Sequence, residues 1–477
     1  MSIIIFGLGA YYKKYKSLVF GKDTVLAIAD NNAEKQGTVV DGVPVVAPEE
    51  LSSMQFDFVV MLLAYYSAAQ VKTQLLQLGV SEEKILFYDE YIANVCRGQK
   101  TVYAPESVLK IAIVSRELDY SGSSSAIFAA SVALYSIGYS VTLFVPSCDN
   151  NFVKEFNQKG ISVIEYPSLL CMDDSDLKAF DGFDFVIVNV VPMIDAALKL
   201  SVCKPMLWWI HEVGDSHSNV YKNVLARYPS CLHDSRIRSI PVYAVSRVAE
   251  RAFCKYFPDV PVKILPYCVK DEARKYDVEN KRSAKNYAPK KQKITFALIA
   301  GFSELKQQKL FLEAARRLNE SHGGHARFLL VGKSRDDAYS REVIALVEQI
   351  PNVELAGLLS RAQMKDLYEN EVDVVVCPSL EETMSLAITE GMMHGKVCIA
   401  SDNIGMAEYI TDGKNAFICK AGDEDSLYEK MLYVTDHFCD FGAMRRLARE
   451  TYEENFTMDA FGEKIDGIIK KIMRRDD

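Results

Sequence analysis

The sequence predicts an α/β protein of three Rossmann-like units in series, the last two facing each other across a cleft. Three observations predict it. Short apolar runs alternate with longer stretches of helical periodicity, the pattern of parallel sheets covered on both faces. Small-residue loops, Gly7-Leu8-Gly9 and Ser121-Gly122-Ser123-Ser124-Ser125, follow the first strands of two units. Two segments without apolar periodicity, 97–109 and 271–293, divide the chain, as a linker and a polar connection would.

Residues 1–96 form the first unit, with strands at Ser2–Gly7, Thr24–Ala29, Pro44–Val46, Phe56–Leu62 and Lys84–Phe87. Gly7 and Gly9 follow its first strand and Asp30 ends its second. In that layout a tight turn brings a helix N-terminus to a phosphate and an acid meets a ribose. Tyr12 stands where the third glycine of the fingerprint belongs. A bound nucleotide and a structural or docking role for the turn are therefore both open. Residues 110–270 form the second unit, starting with Lys110–Ser115 and a helix to about Ile137. Its later strands are Ser140–Val145, Phe183–Val191, Pro205–His211, Val242–Val245 and Val262–Leu265. The third unit, 294–455, has strands at Ile294–Ala300, Arg327–Val331, Val353–Leu355, Val372–Cys377 and Val397–Ala400. A helix from about Leu386 is stopped by Gly395. The end, 456–477, is an amphipathic helix.

Composition sets bounds. A chain of 477 residues is too long for one core. Its 49% hydrophobic and 25% charged residues are those of a globular protein, and a net charge of −9 argues against nucleic acid as partner. The N-terminus reads as a strand and not a signal peptide, and no apolar run reaches the roughly 20 residues that span a bilayer. The 11 cysteines include no C-x-x-C pair and most sit in apolar runs, so they read as small buried hydrophobes of a reducing cytosol. Asp174-Ser175-Asp176 has metal-site spacing but falls in an acidic turn, read as solvated surface. No metal is expected.

The chemistry concentrates at Pro378–Ala400. Glu382 lies near the entrance of a helix and Glu390 about two turns further on. Unpaired N–H groups at such an entrance suit a phosphate, and carboxylates around it suit ribose or sugar hydroxyls. Pro378, Ser379, Glu382, Leu386, Glu390, Met392 and Gly395 match the motif P-S-x-x-E-G-F-G-L-x-x-x-E-A-M-A-x-G. In this the chain resembles the retaining, nucleotide-sugar-dependent glycosyltransferases of family 4 or group 1 type, which have the GT-B fold. Thr383-Met384-Ser385 replaces their Gly-Phe-Gly. The resemblance covers about residues 110–470, while the first unit resembles small Rossmann-like domains at the front of some bacterial sugar-modifying enzymes.

The resemblance implies further site residues. Gly301 and Lys306 fall in the segment G-R-L-x-x-x-K-G, whose arginine and lysine neutralise the leaving diphosphate. Phe302 or Ser303 replaces the arginine and Gln307 the last glycine, with Lys309 or Arg361 as possible substitutes for the lost cation. His211 ends the strand MLWWI, placed to meet the sugar or acceptor or to be satisfied within the interface; Glu212 is an acceptor-side base candidate by proximity. Gly122 and Ser123 resemble the family's loop under the diphosphate. Asn189 and Pro266-Tyr267-Cys268-Val269 resemble its interior signatures. The implied tail helix packs back onto the preceding domain.

The expected function is thus transfer of a sugar from a nucleoside-diphosphate sugar, with retention, to a glycan, lipid-linked or protein acceptor in surface polysaccharide or glycoprotein synthesis. Lys306, Glu382 and His211 would be catalytic. Glu390 would hold the ribose, with Thr383, Met384, Ser385 and Leu386 along the donor, and no cofactor is required. The alternative, motivated by the lost arginine and glycines, is a non-catalytic subunit that binds a partner transferase or glycoprotein. The expected location is the cytoplasm. Lys13, Lys14, Lys16 and Lys290–Lys293 read as solvated faces, with peripheral contact to anionic lipid at the inner membrane face as the other reading. The sugar, the acceptor and the oligomeric state are not legible.

Overall fold

The computed structural model describes residues 1–20, 23–91, 108–116, 118, 122–148, 150–214, 219–273 and 293–474. Most of the 97–109 and 271–293 segments, and Ser121, lie outside them. The strands form three sheets. The first is β3-β4-β2-β1-β5-β6, from β1 (Ser2–Phe6), β2 (Thr24–Ala29), β3 (Val39–Val40), β4 (Val43–Val46), β5 (Phe58–Met61) and β6 (Ile85–Phe87). It is parallel except where β3 meets β4. The second is β13-β12-β11-β10-β7-β8-β9. Its strands are β7 (Lys110–Val114), β8 (Ser140–Val145), β9 (Ser162–Glu165), β10 (Phe185–Asn189), β11 (Met206–Ile210), β12 (Val242–Ala244) and β13 (Val262–Ile264). The third is β16-β15-β14-β17-β18-β19, from β14 (Ile294–Ile299), β15 (Ala326–Val331), β16 (Val353–Gly357), β17 (Val374–Cys377), β18 (Val397–Ser401) and β19 (Phe417–Cys419).

Central strands such as FVIVN in β10 and VVVC in β17 are buried at every position, as parallel strands between two helical layers must be. The helices are α1 (Ala10–Phe20), α2 (Tyr65–Gln77), α3 (Gly122–Ser136), α4 (Asn150–Asn157), α5 (Ile194–Leu200), α6 (Val220–Arg227) and α7 (Arg247–Cys254). They continue with α8 (Gln308–His322), α9 (Ala338–Gln349), α10 (Arg361–Asn370), α11 (Leu386–Met393), α12 (Glu424–His437), α13 (Gly442–Asn455) and α14 (Met458–Met473). Local chemistry starts several of them. Ser360 and Gln363 form a capping box before α10, and the Ser385 hydroxyl accepts the Ile388 N–H at the start of α11.

Strand order reverses once in each sheet, between β1 and β5, β7 and β10, and β14 and β17. Loops leave the carboxyl ends in opposite directions at such points and open a crevice. The buried cluster of the second sheet runs on without a break into Ala297, Val375 and Cys398 of the third and into Phe461 and Ile465 of α14. The tail helix crosses onto the second unit, where the Tyr139 hydroxyl donates to Asp466 at 2.7 Å and the Phe461 ring lies 5.5 Å from Trp209. Edge strands β9 and β19 are only four and three residues long, and β9 is bounded by a serine and a glutamate, so neither stands out in the sequence. Asp176, read as solvated surface, is buried and accepts the Tyr166 hydroxyl at 2.8 Å. It serves the fold of its own turn.

Candidate active site

The loops after β7, β11, β14 and β17 converge at the two facing reversals on a cavity of about 420 Å³. Gly122 and Ser123, in the first turn of α3, supply one wall. His211 comes from the end of β11, Gly301 and Lys306 from beyond β14, and Glu382, Thr383, Met384 and Leu386 from beyond β17. A larger cavity of about 890 Å³ adjoins it at Leu386 and holds Glu390, Tyr368, Arg361 and Glu272. Residues far apart in sequence thus form two compartments separated by one leucine.

Lys306 and Glu382 pair at 2.8 Å. Burial acts to lower the Lys306 ammonium, but the Glu382 carboxylate outweighs it and raises the lysine above its ordinary range. Glu382 also accepts the Ser379 hydroxyl at 3.1 Å and the Cys377 thiol at 3.3 Å. Burial, joined by the Glu382 charge, pushes that thiol up to about 11, so it stays protonated and donates. Lys306 closes a short 3-10 turn, and Gln307 after it is left-handed, with φ +58°. The site has no cation where the resembling family carries its arginine. Phe302 is buried in the core of the third unit, and Lys309 pairs with Glu342. Arg361 lies in the adjoining cavity, 5.4 Å from the centre of the Phe128 ring across the cleft.

Burial raises the Glu390 carboxyl to about 7, against the pull of a Tyr368 hydrogen bond and with Glu272 adding to the rise. Tyr368 also stacks on His394, 5.0 Å between rings. Burial alone lowers His211 to about 3, so its imidazole is neutral at working pH. Its Nε2 is buried without a hydrogen-bond partner among the described residues, and the ring meets Trp209 edge-on at 4.4 Å. Glu212 is committed to the backbone. Its Oε2 accepts the N–H of Val191 at 3.1 Å and of His211 at 3.0 Å.

The other predicted residues fall elsewhere. Ser385 does not line the cavity; it caps α11 and donates to the Cys377 sulfur at 3.4 Å. Gly7, Gly9 and Asp30 are in the first unit, away from this cleft. There Asp30 accepts the Leu8 N–H at 2.9 Å and pairs with Lys35 at 3.2 Å. Tyr368 and Cys377 were missed, because neither carries a local signal: Cys377 reads as the end of an apolar run and Tyr368 as one residue of a polar helix until the tertiary fold sets each beside a carboxylate.

Residues 293–437 match the model of the family "Glycosyl transferases group 1", residues 108–241 that of "Glycosyl-transferase family 4", and residues 1–86 "C2185-like, N-terminal". With the fold above, the chain belongs to the GT-B glycosyltransferases of the group 1 and family 4 type, carrying an extra N-terminal domain. Among similar proteins is the amylovoran biosynthesis glycosyltransferase AmsK of Erwinia amylovora, 23% identical over 38% of this chain and 46% of its own. The alpha-1,3/1,6-mannosyltransferase alg2 of Schizosaccharomyces pombe is 22% identical over 77% of this chain and 84% of its own. The first two curated relatives are matched over only about half their length, 44% and 46%. Among solved structures, Anabaena HepE in complex with UDP superposes with a TM-score of 0.61 at 14% identity, over 76% of this chain and all of that one. At such identity the likeness is one of fold. Among the described residues no helix is long and apolar enough to cross a membrane.

Proposed function

We propose that this chain transfers a sugar from a nucleoside-diphosphate sugar to a glycan, lipid-linked or protein acceptor, with retention of configuration. The observation that carries the reading is the half-buried Lys306–Glu382 pair facing the first turn of α3 in one cavity, with Glu390 in the next. A diphosphate across Leu386 places its charge beside Lys306 and the N-terminal amides of α3 and α11. Its ribose then reaches Glu390 and its sugar Glu382. HepE is solved with UDP-glucose, which supports a nucleotide sugar as the ligand of this fold.

In the proposed step the bond from the anomeric carbon to the diphosphate oxygen breaks, and the acceptor oxygen bonds to that carbon on the same face. The acceptor proton passes to the departing phosphate oxygen. Lys306 offsets the charge growing there, so no metal is called for, and neutral His211 offers the sugar or acceptor a hydrogen-bonding nitrogen. Assembly of a surface polysaccharide or glycoprotein at the cytoplasmic side of a membrane is the setting proposed.

The test is a panel of nucleoside-diphosphate sugars scored for thermal stabilisation and nucleotide release, with Lys306→Ala and Glu390→Gln run beside the wild type. One sugar should stabilise and be turned over, with both effects lost in Lys306→Ala and weakened in Glu390→Gln. Stabilisation without release, in extracts that contain candidate acceptors, would instead favour a non-catalytic subunit.

A further inference from the structure

The first unit has its own crevice, where strand order reverses between β1 and β5. In an open α/β sheet this is where a ligand binds. It is flanked by the starts of α1 and α2, hence by Tyr11 and Tyr65. Two features argue against a nucleotide there. The Leu8 amide that would face a phosphate and the Asp30 carboxylate that would meet a ribose already satisfy each other at 2.9 Å. The rings of Tyr11, Tyr15 and Tyr65 also close on Tyr88, with centres 5.1, 4.9 and 5.4 Å away.

A side chain of the second unit reaches this place. Arg116, two residues beyond β7, donates to the Tyr11 hydroxyl at 3.4 Å, and its charge acts on Tyr15 and Tyr88. A second arginine, Arg227 of α6, holds the neighbouring edge through Asp89 at 3.1 Å and Glu90 at 2.9 Å. The Arg116 charge also favours the ionised form of Glu212, the carboxylate that clamps the Val191 and His211 amides. Next to it, Ser115 accepts the Asn189 side-chain amide at 2.9 Å. Val190, between Asn189 and Val191, has φ +75°, a backbone conformation that a β-branched residue holds only when its neighbours impose it.

We propose that the crevice of the first unit is a socket for Arg116, and that through this contact the first unit positions the Glu212–His211 corner of the catalytic cavity. Arg116 is then a positioning residue and the first unit an internal brace with no small ligand of its own. The catalytic consequence rests on the glycosyl-transfer reading; the mechanical one does not.

The experiment uses the full chain, as wild type, Arg116→Ala, Arg116→Lys and Tyr11→Phe, followed by hydrogen–deuterium exchange without substrate. Arg116→Ala should speed exchange at the Val191 and His211 amides by about tenfold, while the Arg227 contacts keep α2 and α6 protected. Tyr11→Phe, which removes only the acceptor hydroxyl, should show the same pattern at smaller amplitude, and it decides the matter if Arg116→Ala fails to fold. Where a donor is turned over, Arg116→Ala should lower kcat by about tenfold with donor KM within about twofold, and Arg116→Lys should restore part of it. Unchanged exchange at Val191 and His211 in Arg116→Ala and Tyr11→Phe would overturn the proposal. So would micromolar binding of UDP or NAD to the chain carrying Lys306→Ala and Glu390→Gln. Absence of turnover in the wild type would sink the glycosyl-transfer reading alone and leave the exchange result standing.

Discussion

Gln307 stands in a left-handed backbone position, φ +58° and ψ 40°, directly after Lys306. An L-residue there costs about 1–2 kcal/mol relative to glycine, offset in part by the Gln307 side chain, which donates to the Glu304 carbonyl at 2.6 Å. Gln307→Gly should therefore raise stability in chemical denaturation, but by only about 0.5–1 kcal/mol, because glycine's greater entropy loss on folding offsets part of the relieved strain. Glu390 has the opposite problem. Its carboxyl is held at about 7, while hydroxyls of a ribose would donate to its charged form and pull it down. Binding then favours deprotonation, so donor affinity should rise from pH 6 to 8 and flatten above. Glu390→Gln should bind more weakly, by about tenfold, with that pH dependence gone; calorimetry across the range checks both.

At the scale of elements, the turn into α11 is held from two sides. Ser385 caps the helix, which explains how a sequence without the family's glycines still starts it. Gly405, after β18, accepts no side chain: a Cβ there would lie 1.8 Å from the Thr383 carbonyl oxygen and 2.6 Å from Cβ of Ser246, in the second unit. Gly405→Ala must push Thr383 or the facing unit aside, at about 1–3 kcal/mol. Because Thr383 lines the cavity, its donor KM should rise as well. By contrast, Ser385→Ala should cost about 1 kcal/mol from the lost cap and shift KM less. Thermal melts and donor titration of the two variants separate these outcomes.

Across the whole molecule, carboxyls that folding draws partly or fully out of water couple stability to pH. Burial raises Asp89 to about 6 and Glu212 and Glu390 to about 7. Each folded value exceeds the unfolded one, so the folded chain holds more protons than the unfolded chain between roughly pH 4 and 7. The stability from these groups is complete below about pH 4 and is lost as pH rises through 6 to 7. Unfolding free energy should accordingly fall from pH 5 to 8, and Glu390→Gln should flatten part of the slope. Asp89 also anchors the first unit, with Arg227 beside it over the Phe87 ring at 4.9 Å. Arg227→Ala leaves that acid buried and uncompensated, which costs about 3–5 kcal/mol. A separate early transition for residues 1–91 should then appear in calorimetry.

The strand runs, the helix from about Leu386, and the spacing of Glu382 and Glu390 are properties of the chain read locally. Apolar period, capping chemistry and small-residue loops act over a few residues, and for the same reason the order of elements and the class of fold were legible. His211 was legible as a candidate because it ends a predicted strand, and Lys306 and Gly122 because their segments resemble the family's diphosphate-binding ones. The tertiary structure alone decided which of them meet. It set Lys306 against Glu382, turned Glu212 from a candidate base into a backbone clamp, put Glu390 in a second compartment, and seated Arg116 against the tyrosines of the first unit. Those outcomes depend on strand order and on the docking of sheets distant in sequence, where burial and partner charges arise from groups that no local window contains.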